Sequence, residues 1–290
     1  MLKIIVNSVF ILCLFTSCKK TKDSLSSLYQ LDSNLGEISG MIRIGDRYFA
    51  HNDSGAEPII YEINIKDGKV LREVYIENGI NIDWEDIAVD SNFIYIGDIG
   101  GNNLDRDSLE IYKVKIEDLL SNDSVYSEVI TITKNRNHPK DFEAMFVKEG
   151  SLFLFSKDLD NYICKTFKLD LSNTNLELGV AIEQIKLTVA ITGADYNVLT
   201  NEASLIGYSK PDTGNLLNFK INILKVDSFQ DQLFKNTANI KIYNIKNAVE
   251  VAQAESIVFS NNESKVYVSS EMNSLVPSSR AILFSFNLYK

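Results

Sequence analysis

Only four prolines and 14 glycines interrupt the 290 residues, so no long flexible linker divides the chain. Cysteine is scarcer still, at positions 13, 18 and 164. The first two fall in or beside a leader, which leaves Cys164, and a lone thiol excludes an intramolecular disulfide. Stability must then come from packing, and Cys164, between Ile163 and Lys165, reads as a small buried hydrophobe. Two histidines, His51 and His138, with so few thiols do not make a convincing zinc site. Helical periodicity of useful length is missing. Residues 116–120 offer one turn and 227–234 a short helix with an Asp or Ser cap. Positive charge is short as well: 29 Lys and Arg against 39 Asp and Glu give −10. Such a balance disfavours nucleic acid and anionic headgroups and favours cations.

What is present begins with a leader. Lys3 precedes a mostly apolar run over 4–15, too short for a bilayer, which needs about 20 residues, and right for a signal peptide. Leu14-Phe15-Thr16-Ser17-Cys18 then resembles a bacterial lipobox, although Phe15 stands where Leu is more usual. The resemblance implies cleavage before Cys18 and acylation of that residue. The expected organisation is 1–17 signal peptide, 18–26 lipidated tether and 27–290 a single domain. Lys3 is the only charge before Cys18, so the mature chain carries about −11, one less than −10. Membrane attachment is then the work of the lipid.

An acidic phrase recurs along the rest. Glu37-Ile38-Ser39-Gly40-Met41, Asp83-Trp84-Glu85-Asp86-Ile87, Asp141-Phe142-Glu143-Ala144-Met145 and Glu255-Ser256-Ile257-Val258 are four copies, and Gly193-Ala194-Asp195-Tyr196 is a degenerate fifth. The acids Glu37, Glu85, Glu143, Asp195 and Glu255 lie 48, 58, 52 and 60 residues apart. A second apolar strand follows each, as in Tyr48-Phe49-Ala50 or Leu152-Phe153-Leu154-Phe155. A period near 50 built from short strands is the mark of a β-propeller. The expected fold is all-β, with five blades. Six is the alternative, if 192–251 hides an extra blade. The last blade has three strands before the chain ends, which would leave an open edge, so 27–33 is expected to supply its outer strand.

Propeller topology puts the start of every first strand and the end of every second strand on one face. Glu37, Glu85, Glu143, Asp195 and Glu255 should therefore meet at the channel mouth. They would be joined by Asp53 of His51-Asn52-Asp53-Ser54-Gly55, Asp98 of Gly97-Asp98-Ile99-Gly100-Gly101, and Glu271. These eight acids are the candidate metal ligands, and His51 and His138 are expected nearby. Two carboxylates about 4 Å apart repel by roughly 4 kcal/mol at an effective dielectric near 20. Either some hold protons, or Lys157, Lys210 and Arg106 pair with them, or a cation sits among them. Oxygen ligands suit Ca²⁺. The competing reading is that each acid only locks the ring by binding backbone N–H groups of the next blade. Asp83/Glu85 and Asp141/Glu143 are spaced to face one side of a strand and chelate. The 98–107 loop is rich in Asp and Asn without EF-hand spacing, and turn chemistry also accounts for it. No nucleophile elbow accompanies Ser54.

On the stretches Glu37 to Gly40, His51 to Gly55, Asp83 to Ala88, Tyr95 to Gly100, Asp141 to Met145 and Ala254 to Ile257, the chain resembles bacterial secreted or lipidated propellers of mostly unassigned function. The resemblance spans most of the mature chain. More distantly, Glu37-Ile38-Ser39 and Asp83-Trp84-Glu85 are similar to strand openings of calcium-dependent apyrases, which implies five blades and a channel Ca²⁺. Regucalcin-like lactonases also set acids around a central metal. The nucleotide-binding residues of apyrases have no match here. The expectation is an outer-membrane lipoprotein, facing the periplasm or the outside, monomeric, with a Ca²⁺-binding mouth that serves as a binding module for a glycan, peptide or protein. The alternative is a metal-dependent hydrolase of a phosphoester or lactone, with Glu85 or Glu143 activating water and His51 or His138 assisting. No nucleic acid partner is expected.

Overall fold

The apolar strands are buried on both faces, and successive side chains enter two different cores. In the second blade Ile94 and Ile96 join the packing toward the first blade, while Tyr95 between them joins the packing toward the third. That period of two is what strands impose. It explains why these segments read as unbroken hydrophobic runs.

The computed structural model describes residues 26–101, 106–211, 219–230, 232–235, 237–245, 253–261, 264–272 and 280–288. The leader and Cys18 lie outside the described residues. Strand β1 is Ser26–Gln30. Blade one follows with β2 (Ile38–Ile44), β3 (Arg47–Asn52), β4 (Ile59–Ile63) and β5 (Val70–Ile76). Blade two has β6 (Trp84–Val89), β7 (Phe93–Asp98) and β8 (Ser108–Lys115), then helix α1 (Ile116–Ser121), the short β9 (Ser124–Val125) and β10 (Glu128–Thr133). Blade three has β11 (Phe142–Lys148), β12 (Ser151–Ser156), β13 (Ile163–Asp170), the short β14 (Asn175–Glu177) and β15 (Glu183–Lys186). Blade four has β16 (Ala190–Asn197), β17 (Glu202–Tyr208), β18 (Ile221–Val226) and β19 (Ile240–Ile245). Blade five has β20 (Ala254–Phe259), β21 (Lys265–Ser270) and β22 (Ile282–Asn287).

Each blade is an antiparallel meander, and β2, β6, β11, β16 and β20 neighbour one another around the axis. Blade five is completed by β1, which pairs with β22 through Leu28↔Phe284, Tyr29↔Leu283 and Gln30↔Ile282. The chain ends therefore close the ring, as expected, and the stretch from 190 to 245 makes one blade, not two. Five core clusters fill the five blade–blade interfaces, including that between blades five and one. Two outer pairings were not foreseen. The short β9 adds in parallel to β5 of the preceding blade, and β14 to β10. Each staples one blade to the next. The described residues of 227–235 are irregular instead of helical. Phe229 donates its N–H to the Asn201 carbonyl at 2.9 Å, and Asp227 is held by Lys225 and Lys241.

Candidate metal centre

A β-bulge recurs at the same place in every innermost strand. In β6, Trp84 pairs with Asp98 and Asp86 with Gly97, leaving Glu85 as the extra residue. Glu143 is the extra residue in β11, Thr192 in β16 and Glu255 in β20. In β2 the break falls between Ile38 and Met41, at Ser39. A bulge re-aims the side chain it carries. The true repeat position is thus Ser39, Glu85, Glu143, Thr192 and Glu255, two hydroxyls and three carboxyls.

The two kinds of residue do different work. The Ser39 hydroxyl donates to the Glu85 carbonyl at 2.5 Å, and the Thr192 hydroxyl to the Ala254 carbonyl at 2.6 Å. Both tie an inner strand to the next blade. The three glutamates are buried, at 2%, 2% and 4% exposure. Glu85 Oε1, Glu143 Oε1 and Glu255 Oε2 each lack a hydrogen-bond partner among the described residues. An orphaned buried oxygen costs about 1–3 kcal/mol. Asp83, Glu85 and Asp53 offer oxygens all within 4.8 Å of one another, as do Glu85, Asp141 and Glu143. Two oxygens on one Ca²⁺ at about 2.4 Å are at most about 4.8 Å apart, so both clusters fit an ion, and Glu85 belongs to both. The loop after β7 is shaped around them. A Cβ at Gly100 would run into Glu85 Oε1 and the Asp83 carboxyl, and Gly101 N–H donates to Asp141 Oδ1 at 3.0 Å.

The charge balance is uneven. Lys157 is the compensating cation, its Nζ 2.7 Å from Glu143 Oε2. Burial pulls that ammonium's pKa down, but the surrounding carboxylates, Glu143 and Glu255 foremost, outweigh it and hold it well above the usual range. Burial pushes the Glu85 and Glu143 carboxyls well up, Glu85 further through Glu143 and Asp53, while Lys157 draws Glu143 back. Asp53 is pushed up to about 7 by burial, with Asp83 and Glu255 adding to it. Glu271 is pushed up to about 10 by burial and then by Glu255 and Asp53. Glu255 is raised by burial and steadied by hydrogen bonds from Tyr208 and Gln253.

The other expected residues fall elsewhere. Asp98 is fully buried: Arg106 pairs with Oδ1 at 2.5 Å and Asp83 N–H donates to the same oxygen, while Oδ2 has no hydrogen-bond partner among the described residues. It positions Asp83. Glu271 lies beside Glu255 and Asp53 but in neither three-acid cluster. Glu37 precedes its strand and is exposed at the rim. Asp195 is a correction to the expected ring. It sits three residues past Thr192, and its carboxylate accepts the Tyr196 and Phe259 N–H groups at the far end of the inner strands. Lys210 pairs with Asp160 on the surface, not with the mouth. His51 is sealed under the mouth against Gly40 and Trp84, and burial lowers it to about 4. His138 is bound in its own loop to Asn135 and the Gly179 carbonyl.

One residue was missed. Asp86, one place after the bulge, is fully buried on the axis. Its Oδ2 accepts N–H groups from Met145 of blade three at 2.8 Å and Ala194 of blade four at 3.1 Å, and Oδ1 accepts from Ile87. The equivalent positions are Gly40, Ala144, Gly193 and Ser256. Small residues at four places leave room for one long one.

The fold and site together define a β-propeller with acidic clusters at one mouth of its channel. No protein-family model and no curated protein matches the sequence. Solved structures do. A bifunctional GH43-CE protein of Bacteroides eggerthii matches with a TM-score of 0.55 at 11% identity, over 89% of this chain and 34% of that one. The PQQ-bound aldose sugar dehydrogenase of Streptomyces coelicolor gives 0.49 at 8% identity, over 91% and 98%. The WD40 propeller domain of Doa1 gives 0.44 at 11%, over 93% and 98%. At such identities the likeness is one of fold.

Proposed function

We propose that this chain is a lipid-anchored envelope β-propeller whose mouth binds a divalent cation, Ca²⁺ before others, and that the loaded mouth serves as a monomeric binding module for a glycan, peptide or protein. The observation that carries the cation is the pair of orphaned oxygens on Glu85 and Glu143, buried in clusters whose donors are all oxygen, with a third orphaned oxygen on Glu255 outside them. Such donors select hard cations over zinc. The anchor rests on Leu14 to Cys18. The hydrolase alternative draws less support, because His51 is sealed and His138 is engaged away from the clusters.

The test is thermal unfolding of the chain from Lys19 onward. Ca²⁺ at about 100 times its dissociation constant should add about 2.7 kcal/mol, or roughly 5–10 °C for a domain of this size. Chelator should reverse the shift, and Glu85→Gln should abolish it. A wild-type melting temperature indifferent to Ca²⁺, Mg²⁺ and chelator removes the cation from the proposal.

A further inference from the structure

The face opposite the mouth carries an apolar tip unlike the other turns described there. The hairpin joining β16 to β17 turns on Val198 and Leu199, 74% and 79% exposed. The corresponding turns are Gly45-Asp46 in blade one, Asp90-Ser91-Asn92 in blade two and Glu149-Gly150 in blade three, and blade five begins its turn at Asn261. All are the polar and glycine residues that turns prefer. The exposed pair is not the result of a loose loop. Leu199 N–H donates to Asn197 Oδ1 at 3.0 Å, Tyr196 Oη to Asn201 Oδ1 at 2.9 Å, and Asn201 takes the left-handed conformation at φ 54°. A fixed turn that holds two large apolar side chains in water has a partner in view.

The chain's own exit identifies that partner. Strand β1 is antiparallel to β22, with Gln30 opposite Ile282 at the mouth end and Ser26 opposite Ser285 toward the hairpin face. Strand β1 therefore begins on the side of Val198 and Leu199. Seven residues lie between Cys18 and Ser26, and the eight steps reach at most about 28 Å. The six-residue β22 is about 20 Å tall. With Cys18 acylated, a propeller lying hairpin face down leaves the tether slack. One lying mouth down would need the tether to double back along β1, about 17 Å of that reach. Charge acts in the same sense, since the mouth gathers Asp53, Asp83, Glu85, Asp141, Glu143, Glu255 and Glu271 and anionic headgroups repel it. Behind the tip lies a hollow of about 550 Å³ whose charged lining is Arg43 and Lys148 with Asp90, Glu149 and Asp195. It offers no net positive charge, so apolar burial supplies the attraction.

We infer that Val198 and Leu199 seat the propeller on the membrane surface, hairpin face down, with the acidic mouth turned to the aqueous side. This rests on the lipid anchor of the proposed function. The full-length, lipidated chain is reconstituted on vesicles of phosphatidylethanolamine and phosphatidylglycerol that carry a spin-labelled quencher lipid. Two variants, L199C and M272C, bear a polarity-sensitive fluorophore. Cys164 is buried and does not compete for the label, and Met272 is exposed beside the mouth. The expected result is blue-shifted emission at position 199, quenched severalfold more than at 272. Equal quenching at both positions, or more at 272, overturns the seat while the vesicle-bound protein upholds the anchor. Failure of the wild-type chain to float with vesicles removes the anchor, and the seat with it.

Discussion

Replacing Asp86 should cost more than replacing any other mouth acid, because it is the one carboxyl that bonds three strands of the ring. In Asp86→Ala, the Met145 and Ala194 N–H groups lose their acceptor in a site that is 1% exposed. Each orphaned buried amide costs about 1–3 kcal/mol. Removing a carboxyl that burial already disfavours returns part of this. A net loss of about 2–4 kcal/mol follows, or roughly 4–16 °C in melting temperature for a domain of this length. Asp86→Asn keeps one oxygen for the two inter-blade amides and turns its NH₂ toward the Ile87 N–H, so it should fall between, at about 1–2 kcal/mol. Urea unfolding followed through Trp84 measures both, since this single tryptophan is fully buried between blades one and two. The reasoning is refuted if Asp86→Ala unfolds within about 0.5 kcal/mol of wild type, the range of an ordinary surface change, or if Asp86→Asn is the worse of the two.

Two further outcomes follow from the buried acids. Asp53 and Glu271 hold protons to about 7 and about 10, against roughly 4 when unfolded, so the native state binds more protons and loses stability as pH rises through that window. His51, lowered to about 4, has the opposite sign, and its contribution is lost as pH falls below about 6.5. In chelator the melting temperature should therefore decline from about pH 6.5 to about pH 9, and Ca²⁺ should flatten the decline; a flat or rising chelated profile contradicts this. Glu85→Thr installs at β6 the type of residue that ties β16 to blade five. Without Ca²⁺ it should be more stable than wild type by about 1 kcal/mol and insensitive to Ca²⁺, as read by the same urea titration. A variant less stable than wild type would make Glu85 a structural residue.

The blade count was legible because closure has a sequence signature: a period near 50, and a last blade one strand short. The apolar runs at 48–50 and 152–155 fall inside β3 and β12, since such runs end at turn residues. The register within the repeat was not legible. A bulge inserts one residue that alternation cannot reveal. In blades one and four the bulged position holds Ser39 and Thr192, and the nearest acids, Glu37 and Asp195, stand off it. Glu37 stands two places early and Asp195 three places late, which on an inner strand separates the rim from the opposite face. Asp86 was hidden for a related reason. Its distinction lies in amides donated from residues 59 and 108 positions away, and no local pattern carries that. The pairings of β9 and β14 span two and three residues, below what propensity resolves.

The two three-acid clusters are not equivalent hosts for the proposed ion. Lys157 already sits on Glu143, so the cluster of Glu85, Asp141 and Glu143 carries a compensating charge, and Asp141 spends one oxygen on Gly101. In the cluster of Asp53, Asp83 and Glu85, Glu85 Oε1 has no hydrogen-bond partner among the described residues. Its walls are also prepared. Arg106 neutralises Asp98, which grips the Asp83 N–H, and Gly100 leaves open the space that any side chain would close over Glu85. On our proposal the ion would sit between blades one and two, where Gly100 leaves room over Glu85, with Glu85 the residue shared by both clusters. Lys157 would then act less as a rival for the site than as the charge that draws Glu143 back toward its ordinary value.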